Sequence, residues 1–116
     1  MPTVVVDIGM ALICFMGSCH PALVGTKTPT GEFELQHYTT SSRGYGGDIL
    51  VFAHTEQEVF AIHRVFRVAT QRRVERLASN DARLRTNITG GCINVEPEVY
   101  NQLVDCCSTS KVIINR

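Results

Sequence analysis

The sequence has no net charge, no apolar run long enough to cross a membrane, no CxxC pair and no internal repeat. Each absence closes a route. A neutral chain with only 7% aromatic residues is a poor match for nucleic acid, which asks for a basic face interleaved with stacking rings. Without CxxC pairs the five cysteines lack zinc spacing. The longest apolar stretch, Ile8 to Met16, follows Asp7 rather than a basic flank. It is too short for a membrane span and wrongly flanked for a secretory leader, so no signal peptide is expected in this chain.

What is present fits one domain over residues 1–116, with 44% hydrophobic residues and enough length to bury a core. The charges are unevenly placed. Seven of the eleven basic residues (Arg64, Arg67, Arg72, Arg73, Arg76, Arg83 and Arg85) fall between positions 64 and 85, against only Glu75 and Asp81 there. We expect a helical, arginine-rich insert over about 67–85, with Val68, Ala69, Leu77, Ala78 and Leu84 roughly on one side. It serves either as a solvated helix or as a lid that attracts anionic ligands.

Elsewhere the patterning is mainly β. Val4-Val5-Val6 and Ala11 to Met16, broken at Gly9, read as a hairpin. GTKTPTGEF is a loop, FELQHYTT alternates as a half-buried strand, and SSRGYGG is a glycine-rich loop. DILVFAH and EVFAIHRVF form a second hairpin around Thr55, Glu56 and Gln57. Pro97 opens a helix over EPEVYNQLVDCC, and KVIINR closes the chain as a strand. The expected architecture is a compact β-sandwich-like domain with one or two helices. Cys14 and Cys19 are placed where they could bridge neighbouring strands, and the odd count of five leaves at least one thiol free.

The stretch NITGGCINV, residues 87–95, sets Cys92 directly after a threonine and two glycines. A glycine turn before a strand would account for it. A nucleophilic cysteine would account for it too, since Gly90-Gly91 allows close approach and can aim N–H groups at an oxyanion. Such a thiol needs a base. His63, late in the apolar strand AIHRVF, is the candidate; His20, His37 and His54 fall in a turn or near strand ends. Asn87-Ile88-Thr89 is formally a glycosylation sequon, which we read as chance.

Three strings occur in order: TPTGEF at 28–33, IHR at 62–64 and TGGCIN at 89–94. Together they resemble the catalytic domain of the L,D-transpeptidases (the YkuD-type fold), over nearly the whole chain. Thr28, Pro29, Thr30, Gly31 and Phe33 match the family's loop, His63 its strand histidine, and Thr89, Gly91, Cys92, Ile93 and Asn94 its cysteine motif. The chain departs from the family in three ways. Gly90 stands where a second histidine is usual, Arg64 follows His63 in place of glycine or serine, and the His63–Cys92 spacing is long.

The resemblance implies a cysteine acyltransferase or peptidase acting on peptidoglycan stem peptides, with no metal or other cofactor required. Cys92 would attack the carbonyl of an L-configured diamino acid and hold the acyl group as a thioester. His63 would keep Cys92 as a thiolate, with the Arg64 backbone carbonyl as third member of the triad, and Gly91 and Cys92 N–H groups would hold the oxyanion. Thr89, Gly90 and Asn94 would bind the substrate. Amine acceptors would give transpeptidation or D-amino-acid exchange, and water would give carboxypeptidase action. The place of work would be the periplasm or cell wall. A stand-alone domain also fits an antibacterial effector, with secretion machinery and an immunity protein as partners. The rival class is a non-catalytic wall- or protein-binding domain, which would have no need of both His63 and Cys92.

Overall fold

The two ends of the chain lie side by side. In a computed structural model that describes residues 1–116, β1 (Val4–Asp7) runs parallel to β9 (Lys111–Asn115). Alternation decides which side chains face inward: Val4 and Val6 on β1, Val112 and Ile114 on β9. Around this pair stand β2 (Leu12–Phe15), β3 (Ser18–Pro21) and β4 (Gly31–Glu34), in the order β3-β2-β1-β9-β4.

The second sheet has the order β5-β6-β7-β8, built from Gln36–Thr39, Asp48–His54, Val59–Arg64 and Ile93–Val95. Its last pair is parallel. Parallel neighbours cannot be joined by a tight turn, so the chain must leave after Arg64 and return before Ile93. The long arginine-rich stretch is that crossover, which explains the distance in sequence between His63 and Cys92. Two helices are present. α1 is Arg73–Leu77, within the crossover, and α2 is Pro97–Cys107. α2 starts on Pro97 in its first turn and buries Val99, Tyr100, Leu103 and Cys107. One apolar cluster draws on both sheets and α2. A mainly β, two-sheet domain with two helices is what the sequence led us to expect.

Local differences have local causes. The expected hairpin near the start is a three-stranded meander, because Met16 and Gly17 turn the chain once more at positive φ. FELQHYTT is not one strand: Leu35 is buried and its N–H donates to the Ser110 carbonyl at 2.9 Å, so the chain changes sheets there. The arginine-rich insert is helical only at Arg73–Leu77, with a 3-10 turn at Ala82–Leu84. Ser79 and Asp81 cap the backbone N–H groups of Asp81 and Arg83 respectively, which stops a continuous helix between them. Nor are its arginines all solvated. Arg85 is buried and donates to the carbonyls of Met10, Ala11 and Ser79, tying the crossover to the β1–β2 turn.

Cys14 and Cys19 lie opposite each other on β2 and β3 and form a disulfide. Cys106 and Cys107 form a second. Cys92 is the free thiol.

Candidate active site

The β7–β8 ladder assembles the site. It pairs Ile62 with Ile93 and His63 with Asn94. Successive side chains alternate between faces, so both isoleucines enter the core while His63 and Asn94 share the other face. Cys92, two residues before Asn94, falls on that same face near the start of β7. Its Sγ lies 3.7 Å from the Val59 carbonyl oxygen, to which the thiol donates.

The loop before Cys92 is braced from within. The Thr89 hydroxyl donates to the Cys92 carbonyl at 2.6 Å and accepts the Gly91 N–H at 3.2 Å. Gly91 has φ +132°, and a Cβ there would stand 2.5 Å from the Phe60 ring. Glycine is required on both counts. Gly90 is exposed, and a Cβ there would meet nothing within 4 Å. Beneath the loop lies Gly25, where a Cβ would come 2.1 Å from the Thr89 carbonyl oxygen. Its N–H donates to the buried Thr28 hydroxyl at 3.0 Å, so the TPTGEF stretch supports the cysteine loop.

His63 is held on both nitrogens. Nδ1 lies 2.8 Å from the Arg64 carbonyl oxygen, and a carbonyl only accepts, so Nδ1 carries the proton. Nε2 is therefore the basic nitrogen, and it accepts from Asn94 Nδ2 at 3.3 Å. The Asn94 amide is oriented in turn by Arg73, whose Nη1 donates to Oδ1 at 2.9 Å. Burial lowers the His63 pKa to about 4, against the pull of the Arg64 carbonyl and with a further push from the Arg73 charge. Burial also pushes the Cys92 thiol above its ordinary value, although a backbone hydrogen bond from Ala61 and the Arg73 charge work the other way. The resting pair is thus a neutral thiol and a neutral imidazole. The thiolate expected from sequence is not the resting form, because both groups are withdrawn from water.

Two cavities meet at the thiol. The larger, about 300 Å³, is lined by Cys92 and His63 together with Glu58, Phe66, Arg73 and Gly90. The other, about 220 Å³, is bounded by Thr40, Ser42, Ile49 and Ala61. Tyr45, Val59, His63 and Cys92 border both. Tyr45 packs on the His63 ring at 4.4 Å between centroids, and Phe66 stacks on it at 5.6 Å.

Tyr45 is kept there by the Arg64 side chain. Its Nη1 donates to the Tyr45 and Gly46 carbonyls at 3.1 and 3.3 Å and to Asp48 at 2.6 Å. Nη2 reaches Asn101, and the guanidinium lies over the Tyr100 ring.

Of the residues singled out from sequence, Cys92, His63, Thr89 and Gly90 line the larger cavity. Arg64 offers its carbonyl to His63. Gly91 is buried below the loop with its N–H taken by Thr89, and Asn94 is fully buried behind His63 rather than on the cavity wall. Sequence reasoning did not single out Tyr45, Glu58, Phe66 or Arg73 as site residues. A lone tyrosine among the glycines of SSRGYGG was a signal for the first; nothing set Arg73 apart from its neighbouring arginines.

By sequence, no family model and no curated protein matches the chain. By structure there are many likenesses. L,D-transpeptidase 3 from Mycobacterium tuberculosis, carrying a faropenem-derived adduct, superposes with TM-score 0.71 at 12% identity over 99% of this chain and 60% of that one. The chain has the L,D-transpeptidase catalytic-domain fold. An L,D-transpeptidase from Mycobacterium smegmatis gives TM-score 0.63 at 18% identity, over 99% of this chain and 58% of its own. An L,D-transpeptidase in complex with imipenem gives 0.62 at 18% identity, over 97% and 58%. The chain therefore spans about three fifths of the length of these L,D-transpeptidase structures.

Proposed function

We propose that the protein is a cysteine-dependent acyltransferase on peptidoglycan stem peptides, an L,D-transpeptidase with L,D-carboxypeptidase or D-amino-acid exchange as variants of the second step. The observation that carries this reading is the pairing, within this fold, of the free Cys92 with a His63 fixed 2.8 Å from the Arg64 carbonyl, both on one cavity.

In the first half-reaction Cys92 turns from Val59, passes its proton to His63 Nε2 and attacks the carbonyl carbon of the L-centre. Nε2 must first give up the Asn94 N–H. The Cys92 N–H then faces the developing oxyanion, since that of Gly91 is engaged by Thr89. Collapse breaks the C–N bond, and the departing D-residue takes the proton from His63. A thioester remains on Cys92. In the second half an amine or water attacks it, gives a proton to His63 and releases the sulfur, which is reprotonated. Because both partners start neutral, the proton moves with the attack rather than before it. The expected place of work is the periplasm or cell wall, and delivery there as an antibacterial effector extends the same proposal.

Incubation with purified stem tetrapeptides, with product masses recorded, tests it. The wild type should release the terminal D-residue and Cys92→Ala should release none. Equal product from both would end the acyl-enzyme scheme. A carbapenem should leave one covalent adduct on the wild type, as seen by intact mass, and none on Cys92→Ala.

A further inference from the structure

The larger cavity contains one cation and one anion near the thiol, and neither has an ionic partner. Arg73 comes from the first residue of α1 and Glu58 from the residue before β7. No carboxylate lies within 4 Å of Arg73, although Glu75 on the same short helix pairs with Arg67 and Arg72. No cationic side chain pairs with Glu58 within that distance either.

Arg73 is fixed rather than floating. Its Nε donates to Gln71 Oε1 at 2.6 Å, its Nη1 to Asn94 at 2.9 Å, and its guanidinium lies 5.0 Å from the centre of the Phe66 ring. Nη2 is left without a hydrogen bond in the protein. A half-buried guanidinium with one edge pinned and a donor unspent is a preorganised carboxylate receptor. An exposed carboxylate on the same cavity supplies the complementary site for an ammonium.

Building on the stem-peptide reading, we propose that Arg73 and Glu58 form a subsite for a zwitterionic α-amino-acid centre, Arg73 binding its carboxylate and Glu58 its ammonium. Two ligands carry this chemistry: the side-chain end of a diaminopimelate residue in a stem peptide, or a free D-amino acid entering as acceptor. A lysine side chain would offer Arg73 only a like charge, and a carboxamide would replace the ion pair with a weaker hydrogen bond. Both should bind less well.

The test uses Cys92→Ala protein, so that binding is read without turnover. Three stem tetrapeptides differing only at the third residue (meso-diaminopimelate, its side-chain carboxamide, and lysine) are titrated by calorimetry or NMR. Free D-alanine and D-alaninamide are titrated alongside. The diaminopimelate peptide should bind about tenfold more tightly than the other two, the difference one charge-assisted contact makes. Arg73→Gln, added to Cys92→Ala, should erase the preference over the carboxamide by weakening the diaminopimelate peptide far more than the other two. Glu58→Gln should weaken the zwitterion and leave the preference for a carboxylate in place. A preference seen only for D-alanine over its amide assigns the subsite to the acceptor. Equal binding within both sets, or an equal loss on every ligand in Arg73→Gln, overturns the subsite. Turnover by wild-type protein is scored separately: no product from any stem peptide would remove the proposed activity, while the binding contrast would still judge Arg73 and Glu58.

Discussion

Asn94 donates to His63 Nε2 at 3.3 Å, so the one basic nitrogen of that ring is occupied at rest. Arg73 sets the orientation of the amide, whose oxygen accepts from its Nη1 at 2.9 Å. This contact favours the neutral imidazole, and replacing the amide by a carboxylate should invert that preference. In Asn94→Asp the ring faces an acceptor at Nε2 and should hold a proton there. The His63 pKa should move from about 4 to above the ordinary 6.5, and acyl transfer near neutrality should fall steeply for want of a base. Nitrogen chemical shifts of the imidazole across pH 3–9 measure it. An unchanged midpoint would show that Asn94 does not control the base.

The thiol gives a second expectation. With burial pushing Cys92 up and His63 unprotonated above about 4, no thiolate–imidazolium pair is available between pH 5 and 8. Iodoacetamide labelling of Cys92 should climb steadily through the alkaline range, with no plateau or inflection near pH 6. A preformed ion pair would instead make Cys92 label readily at pH 5.5. Peptide mapping after timed labelling tells the two apart.

The adjacent glycines should respond in opposite ways. Gly90→Ala adds a methyl group to open space and should change stability by no more than about 0.5 kcal/mol. Gly91→Ala forces a side chain into φ +132° and against Phe60. It should cost about 1–3 kcal/mol and displace the Cys92 loop, abolishing turnover. Thermal melts and product assays on the two proteins suffice. Similar behaviour would place the loop differently from the arrangement described.

His63 also sets a pH dependence of folding. Its folded pKa of about 4 lies below the unfolded value of 6.5, so the unfolded chain takes the proton first. Above 6.5 the ring is neutral in both states and the shift costs nothing. As pH falls from 6.5 towards 4, stability should drop by up to about 1.4 kcal/mol per unit, and the slope should vanish below that range. Urea unfolding of wild type and His63→Gln from pH 7.5 to 3.5 isolates this share. Parallel curves would mean that the ring protonates in the folded protein as easily as in the unfolded chain.

Arg64 contributes through its side chain as well as its carbonyl. Arg64→Met keeps much of the packing on Tyr100 but releases Asp48 and the Tyr45 and Gly46 carbonyls. We expect a loss of about 1–3 kcal/mol, since the Asp48 pair is only partly exposed. Amide exchange should quicken at residues 44–47, and the Tyr45 contact with His63 should loosen. Unchanged exchange there would mean that the loop holds itself.

Much of this organisation was legible in the chain. The β-branched runs at Val4–Val6 and Val112–Ile114 and Pro97 at the start of a helix act through short-range rules, while the order of the threonine, histidine and cysteine strings is legible through the family resemblance. What escaped depends on contacts far apart in sequence. FELQHYTT alternates on both sides of Leu35, so its pattern has no mark of the sheet change that Ser110 enforces. The arginines between 64 and 85 look alike as text. One of them binds backbone carbonyls in the interior, one latches a loop, and one stands in the cavity; only the crossover's path distinguishes them. The thiolate expectation failed for a similar reason, since the spacing of His63 and Cys92 gives no measure of how far both are removed from water.

The parallel pairing of β7 and β8 has an evolutionary consequence. The ladder from Ile62 to Arg64 against Ile93 to Val95 fixes His63 beside Asn94, and Cys92 stands one residue before that ladder, at the end of the crossover. The crossover can lengthen at small cost, about 0.6 kcal/mol of closure entropy for each doubling of a flexible connection. Residue 73 belongs to that crossover, and there Arg73 holds the Asn94 amide and places its charge beside both His63 and Cys92. A crossover that drifts in sequence therefore carries the imidazole and the thiol with it, through the single arginine at position 73.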